Sequence, residues 1–289
     1  MTIGSGVERP GRIAAVAAGS CGVGFVGVYL LFVWTWAGQA LDFNVLQGAP
    51  ALLETADVLR ARSWLSYITV YAVAGVVVLV LAIGLLRRRP ALAVAGAAVI
   101  GVTAVLERVL GDWVLVRPSI IDDPINHGNS FPSGHVAIAM SALFGLLIVV
   151  PYAWRGWVAL LGSVYVVGVA EMTMTVGWHR LSDAIGGNLL ALGVACLALA
   201  VLARRDGART QKLRLSLVAI VPLLGYVVWT VAKGVGPAYG VLSSDKDGFQ
   251  SSIFQAAGAT ATVASALTVV AFLVVSEKCC PGNTFHSRA

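Results

Sequence analysis

Charged residues are scarce in this chain of 289 residues. Asp, Glu, Lys and Arg together make up 12% of it, about half the share of an ordinary soluble domain, and hydrophobic residues make up 58%. This scarcity excludes a disordered chain and an ordinary cytosolic enzyme. The net charge of +6 is not evidence for a nucleic-acid partner, because the basic residues form short clusters between apolar runs instead of one basic face. The composition is typical of a membrane protein.

Cysteine is scarce as well, with 4 residues in the whole chain. Cys21 and Cys196 lie within apolar runs, and Cys279 and Cys280 are adjacent, so that a loop-closing bridge between them is implausible. We therefore expect no disulfide framework. A cleavable signal peptide is not predicted either, because the first apolar run is too long for the hydrophobic region of such a peptide.

Long apolar runs are abundant. A run of about twenty apolar residues crosses a bilayer as a helix, because lipid offers no partners for unpaired backbone groups. The candidate spans are residues 13–36, 64–86, 91–110, 133–152, 156–176, 183–203, 213–232 and 253–276. The sequence therefore predicts an all-α, polytopic membrane helical bundle. It forms a single integral membrane domain over residues 1–289, with a six-span core over about 13–203 and two appended spans over about 213–276.

The basic clusters predict the orientation of these spans. Loops that stay in the cytoplasm are enriched in Lys and Arg. With the N-terminus in the cytoplasm, the arginine-rich segments 87–89 and 204–214 lie inside, and the loops 111–132 and 177–182 face the extracytoplasmic side. The abundance of Ala, Val, Gly and Arg is typical of a bacterium with a GC-rich genome, so we expect a location in the plasma membrane.

The tetrapeptide Pro132-Ser133-Gly134-His135 opens the fourth candidate span. Proline suits the first turn of a helix, and the free N–H groups of that turn form an anion site together with the helix dipole. Gly134 allows close approach of an anion, Ser133 adds a hydroxyl donor, and His135 can carry a proton near neutral pH. A simple helix N-cap is the alternative interpretation of this tetrapeptide.

A second polar cluster lies in the loop before the sixth candidate span. His179 and Asp183 are four residues apart, so a helix beginning near His179 would place them on one face, with the carboxylate orienting the imidazole. Arg117, in the preceding extracytoplasmic loop, offers a forked cation suited to phosphate oxygens. Taken singly, the His-Asp pair could be a helix-surface contact and Arg117 a headgroup anchor. Their occurrence with the tetrapeptide on one side of the membrane favours a common site.

These residues resemble the membrane branch of the type 2 phosphatidic acid phosphatase and vanadium haloperoxidase superfamily. That family carries the motifs Lys-x6-Arg-Pro, Pro-Ser-Gly-His and Ser-Arg-x5-His-x3-Asp. The second motif is intact here at 132–135, the first retains Arg117 and Pro118, and the third retains His179 and Asp183. The resemblance covers roughly residues 109–203.

The resemblance implies an integral membrane lipid phosphatase that hydrolyses a phosphomonoester or pyrophosphate of a polyprenyl or phosphatidic acid-like lipid. His179 would attack phosphorus and form a phosphohistidine, His135 would protonate the leaving oxygen, and Asp183 would orient His179. Arg117, Ser133 and Gly134 would bind the phosphoryl oxygens. We expect no metal and no cofactor. The expected partners are a lipid phosphate and membrane lipid, and the oligomeric state stays open.

Two positions depart from the family motifs. Leu110 stands where the first motif has lysine, and Thr173, preceded by Met172, stands where the third motif has arginine. Two of the cations that would hold the phosphate are therefore replaced. Arg108 and Arg180 are near these positions in the sequence, and we expect Arg180 to contribute to phosphate binding.

Three other functions remain as alternatives. A phosphotransferase of the same fold would use a lipid or sugar alcohol instead of water as the acceptor. The replacements at Leu110 and Thr173 would also suit a catalytically weakened lipid-binding protein. A transporter is disfavoured, because the candidate spans hold few ionisable residues apart from Glu171 and the span-end Glu107 and Arg108.

Overall fold

The computed structural model describes the greater part of the chain, namely residues 10–49, 55–68, 70–122, 128–205 and 246–279, with a few positions between 224 and 232. Most of these residues are helical, and none of them belongs to a strand. The structure therefore confirms the predicted all-α class.

The α-helices of the described residues follow one another in chain order as α1 Pro10–Val28, α2 Trp36–Gln47, α3 Ala56–Ser66, α4 Val70–Leu86, α5 Pro90–Val109, α6 Gly134–Val149, α7 Tyr152–Thr175, α8 Leu181–Arg205 and α9 Lys246–Cys279. Two short π-helical segments, Tyr29–Val33 and Leu110–Val114, extend α1 and α5.

Within the part that the structure describes, 5 helical segments are long and apolar enough to cross a membrane: Gly11–Val33, Pro90–Val114, Tyr152–Thr175, Leu181–Arg204 and Phe249–Cys279. The pair α3 and α4 adds a sixth if its two helices, bent by 53°, are counted as one span. The apolar helix α6 has only 16 residues. The chain is therefore a multi-pass membrane protein built as a polytopic helical bundle.

Three of the predicted spans differ from the helices observed. The run 64–86 is divided between α3 and α4, and α3 carries the exposed ion pair of Arg60 with Asp57, which makes it a poor continuation of an apolar span. The run 133–152 ends early, because Pro151 follows α6 and disfavours helical backbone at the residue before it. The run 253–276 belongs to the longer α9. Most of the candidate 213–232 lies outside the described residues.

Helix α6 is packed between α5, α7 and α8, and small residues allow the closest of these contacts. A Cβ atom on Gly96 of α5 would lie 2.8 Å from the carbonyl oxygen of Gly145 on α6, and one on Gly145 would lie 2.9 Å from that of Gly96. Such backbone approach is the usual way in which helices associate in lipid. On another side, Phe144 of α6 stacks on Phe272 of α9 at a ring distance of 4.3 Å.

The two ends of α6 have different polar surroundings. At its C-terminus, Arg87 donates to the carbonyl of Val149, and Arg155 donates to that of Leu147 at 2.9 Å. At its N-terminus, Gly134 and His135 begin the helix beside the start of α8. Arg87 and Arg155 therefore lie at the opposite end of α6 from the predicted site.

Candidate active site

The first turn of α6 is fixed by Ser133, the N-cap residue. Its fully buried side chain accepts a hydrogen bond from the backbone N–H of Val136 at 3.5 Å, and its own backbone N–H donates to the carbonyl of Asp183 at 2.9 Å. The hydroxyl hydrogen of Ser133 is not needed for the cap, so it can still be donated to an anion. The cap therefore joins the start of α6 to the start of α8.

The residue before the tetrapeptide anchors this turn in the bundle. Phe131 is fully buried, and its ring lies 5.0 Å from that of Phe25 and 5.6 Å from that of Tyr29. Gly186 of α8 makes room for it, since a Cβ atom there would lie 2.4 Å from the Phe131 ring. The loop is thus held by aromatic packing against α1 and by a close approach to α8.

His135 and His179 face each other although they come from different elements. Their ring centroids are 6.0 Å apart, and the ring of Trp178 lies 5.5 Å from that of His135. Both imidazoles are only partly buried. The two histidines are therefore close enough to contact the same small group.

The imidazole of His179 lies beside the carboxylate of Asp183, as their four-residue spacing predicts. Nδ1 of His179 lies 3.5 Å from Oδ2 of Asp183. The helix itself begins later than expected, at Leu181, so the contact joins the residue two positions before α8 to its first turn. The same Oδ2 accepts from the hydroxyl of Ser130 at 2.6 Å and from the backbone N–H of Arg180 at 2.8 Å. With Nδ1 turned to the carboxylate, Nε2 is the nitrogen left for chemistry.

Thr173, at the position of the family's arginine, supports the backbone of this loop. It is fully buried, its hydroxyl donates to the carbonyl of Ala170, and its own carbonyl accepts from the N–H groups of Trp178 at 3.1 Å and His179 at 3.3 Å. Gly177, with a φ of +70°, provides the left-handed turn between α7 and His179. This position therefore contributes to the placement of His179 through its main chain.

Arg117 and Arg180 both lie in the polar network around Asp183. The guanidinium of Arg117 is 3.6 Å from Oδ2 of Asp42, and Arg180, with 1% of its surface exposed, donates to the hydroxyl of Ser130 at 2.8 Å. Arg108 is different: its side chain is 76% exposed and pairs with Asp112 at 3.2 Å. Of the two arginines near the replaced motif positions, Arg180 is the one that the fold brings to the site.

Three residues that the sequence did not assign belong to the surroundings of this site. Ser130 bridges Asp183 and Arg180. Asp42 of α2 contacts Arg117, and Glu107 of α5 lies against Gly134, where a Cβ atom would be 2.7 Å from a carboxylate oxygen. A lone carboxylate in the apolar segment 36–47 was a usable signal for Asp42, because buried charge in such a segment is rare without a function.

Metal ligands are not grouped at this site. Across the described ranges, no set of three or more His, Cys, Asp or Glu side chains is arranged to hold a metal ion. Asp112 and Asp122 are exposed to solvent. Asp123 and His127 fall outside the described residues.

Comparison with known families gives one match. The family model described as the PAP2 superfamily matches residues 63–206. This segment includes Arg117, the tetrapeptide at 132–135, His179 and Asp183, and it begins after α1 and α2. No curated protein and no solved structure matches the chain.

Proposed function

Because this chain belongs to the PAP2 superfamily over residues 63–206, a superfamily of phosphatase-type enzymes, we propose that it is an integral membrane lipid phosphatase. It hydrolyses a phosphomonoester or pyrophosphate of a polyprenyl or phosphatidic acid-like lipid. The observation that carries the proposal is the pairing of His179 with Asp183 at 3.5 Å, opposite His135 at the first turn of α6.

His179 is the nucleophile. Asp183 holds Nδ1 as N–H and stabilises the imidazolium as charge develops, so that the lone pair of Nε2 attacks phosphorus. The phosphorus–nitrogen bond forms as the bond from phosphorus to the leaving oxygen breaks. His135 donates a proton to that oxygen, and the dephosphorylated lipid leaves. In the second step His135, now neutral, takes a proton from water, which attacks the phosphohistidine and releases inorganic phosphate.

The phosphoryl oxygens are bound by the N-terminal turn of α6 and by cations near it. Gly134 and the free N–H groups of that turn offer donors at the positive end of the helix dipole, and Ser133 adds its hydroxyl. Arg117 supplies a forked cation, and Arg180 adds positive charge from the buried network. Donors that are held in place before the reaction stabilise the transition state most effectively.

The reaction takes place at the extracytoplasmic face of the plasma membrane. Arg87 and Arg155 contact the C-terminal end of α6, and basic residues favour the cytoplasmic side. This supports an extracytoplasmic location for the N-terminal end of α6, where the candidate site lies. A substrate with its phosphate at this level would keep its acyl or prenyl chain in the bilayer.

Phosphate release by the purified protein tests the proposal. We expect the protein in detergent to release phosphate from at least one of phosphatidic acid, undecaprenyl phosphate and undecaprenyl pyrophosphate. His179→Ala should abolish both release and an acid-labile phosphoenzyme that labelled substrate traps in the wild type. His286→Ala, which changes a histidine outside the matched segment, should leave both unchanged.

Two results would contradict this assignment. One is full activity of the His179→Ala variant. The other is absence of phosphate release from all three lipids by folded wild-type protein.

A further inference from the structure

Residues of the N-terminal segment hold the backbone on both sides of Arg117. The hydroxyl of Tyr29 donates to the carbonyl of Val116 at 2.7 Å and accepts from the N–H of Val116 at 3.0 Å. The side-chain amide of Gln39 donates to the carbonyl of Pro118 at 2.7 Å. Both Tyr29 and Gln39 precede the segment that matches the PAP2 superfamily. Residues outside the matched segment therefore hold the backbone on which Arg117 is placed.

Asp42, one turn after Gln39 on α2, contacts the Arg117 guanidinium itself. Its Oδ2 atom lies 3.6 Å from a terminal guanidinium nitrogen and accepts from the hydroxyl of Ser182 at 2.5 Å. Its Oδ1 atom accepts from the backbone N–H of Ser182 at 3.4 Å. The Asp42 side chain is fully buried. One carboxylate thus joins the phosphate-binding arginine to the residue next to Asp183.

We propose that Asp42 is a positioning residue for phosphoryl binding, whose carboxylate holds the Arg117 guanidinium at a fixed place relative to the start of α8. The proposal rests on the proposed function, because it takes Arg117 to be a ligand of the phosphoryl group. A guanidinium held in place loses less side-chain freedom when it binds an anion. The fixed direction lowers the reorganisation needed when the transition state forms.

Burial makes an ionised carboxylate costly at this place. Burial and the neighbouring Asp183 raise the pKa of Asp42 to about 6, in spite of the opposing effects of Ser182, Arg117 and Arg180. The ionised carboxylate is therefore less favourable in the folded protein than in water. A buried carboxylate that contacts a cation of the candidate site is better explained by its effect on that cation.

Binding of orthovanadate provides the test, because vanadate takes up the five-coordinate geometry of phosphoryl transfer and needs no knowledge of the lipid. We would measure its dissociation constant by calorimetry at pH 7.5 for the full-length wild type, Asp42→Asn, Arg117→Gln and the double variant. Asn44→Ala is the matched control, because the Asn44 amide donates to Ala40 within α2.

Asp42→Asn should weaken vanadate binding about tenfold, and Arg117→Gln about 100-fold, as expected for a preorganised donor. The double variant should bind as Arg117→Gln does, within about twofold, because Asp42 acts through Arg117. Asn44→Ala should bind like the wild type. The melting temperature of Asp42→Asn should not fall, whereas a merely structural role predicts a fall with no dependence on Arg117.

Three results would overturn the inference. The first is an equal effect of Asp42→Asn in the wild-type and Arg117→Gln backgrounds. The others are unchanged vanadate binding by Asp42→Asn and no vanadate binding by the wild type. If Asp42→Asn does not fold, the double variant is compared with Arg117→Gln alone, and a further loss of binding overturns it. If neither variant with Asn at position 42 folds, Asp42 is a residue of the fold and the inference fails.

The proposed function is judged separately. Failure of wild-type protein to release phosphate from the lipid panel would refute that function. The vanadate measurements do not use a lipid substrate. They therefore report the coupling between Asp42 and Arg117 whatever the result with the lipid panel.

Discussion

Gly187 of α8 approaches the carbonyl oxygen of Ser133 so closely that a Cβ atom on Gly187 would lie 2.7 Å from it. The same atom would lie 3.1 Å from the backbone nitrogen of Ala137. Because its neighbours here are backbone atoms, α6 itself would have to move to accept a side chain. This contact therefore sets how close the His135 end of α6 comes to His179 and Asp183.

Gly187→Ala should lower the rate of phosphate release by about 100-fold, the usual effect of displacing catalytic groups by about an ångström. Gly193→Ala is the matched control on the same helix, since its Cβ atom would make an ordinary contact of 3.4 Å with Cys21. Both changes raise helix propensity equally, so the difference in rate reports the contact with α6. Similar rates for the two variants would show that this approach does not position the site.

Asp183→Asn should keep the fold and lower the rate by about 10³-fold or more, because an amide favours the wrong tautomer of His179. The melting temperature and the rate of phosphate release measure these two effects. Asp57→Asn, at an exposed position of α3, should change neither quantity. A loss of less than about tenfold in Asp183→Asn would mean that the His179 tautomer is set by another group.

Glu107→Gln should lower the KM for an anionic lipid phosphate about threefold to tenfold. The Glu107 carboxylate lies against Gly134 and interacts electrostatically with His179, so it repels an anion at the first turn of α6. Asp112→Asn is the control, because that carboxylate is exposed and paired with Arg108. Steady-state kinetics of the two variants measure the KM. An unchanged or higher KM in Glu107→Gln would contradict the prediction.

Asp42 should make the stability of the wild type fall as the pH rises from about 4 to 6. Its pKa is raised from 3.8 to about 6, so the folded protein binds a proton that the unfolded chain releases. The stability from this group is fully present below pH 3.8 and is lost as the pH rises through 6, a change on the order of 3 kcal/mol. Melting temperatures of Asp42→Asn should lack this decline, and identical pH profiles would contradict it.

The orientation predicts which side of the membrane can be labelled. In a background where the cysteines are replaced by alanine, Asp122→Cys should react with an impermeant thiol reagent in intact cells. Arg204→Cys, at the other end of the bundle, should react only after the membrane is opened. The reverse pattern would place the site in the cytoplasm.

The fold class, and the closeness of His179 to Asp183 in the candidate site, could be predicted from the sequence, because they depend on local patterns. Apolar runs the length of a bilayer specify helices wherever lipid provides no hydrogen-bond partners. Pro132–His135 marks a helix start by its composition, and the four-residue spacing of His179 and Asp183 is sufficient to bring them together. The helix boundary was less predictable: α8 begins at Leu181 because the preceding loop is held by Thr173, which only the folded chain shows.

The tertiary structure alone decided which distant residues complete the site. Asp42 and Ser182 are 140 positions apart, and no local pattern links them until α2 packs beside the start of α8. The same packing distinguishes Arg180, buried beside Ser130, from Arg108, which is held at the surface by Asp112. It also places α9, which follows the core in sequence, against α1, α2, α7 and α8. The physical reason is that burial and charge pairing depend on which helix faces meet, and the apolar runs are too uniform to encode those faces.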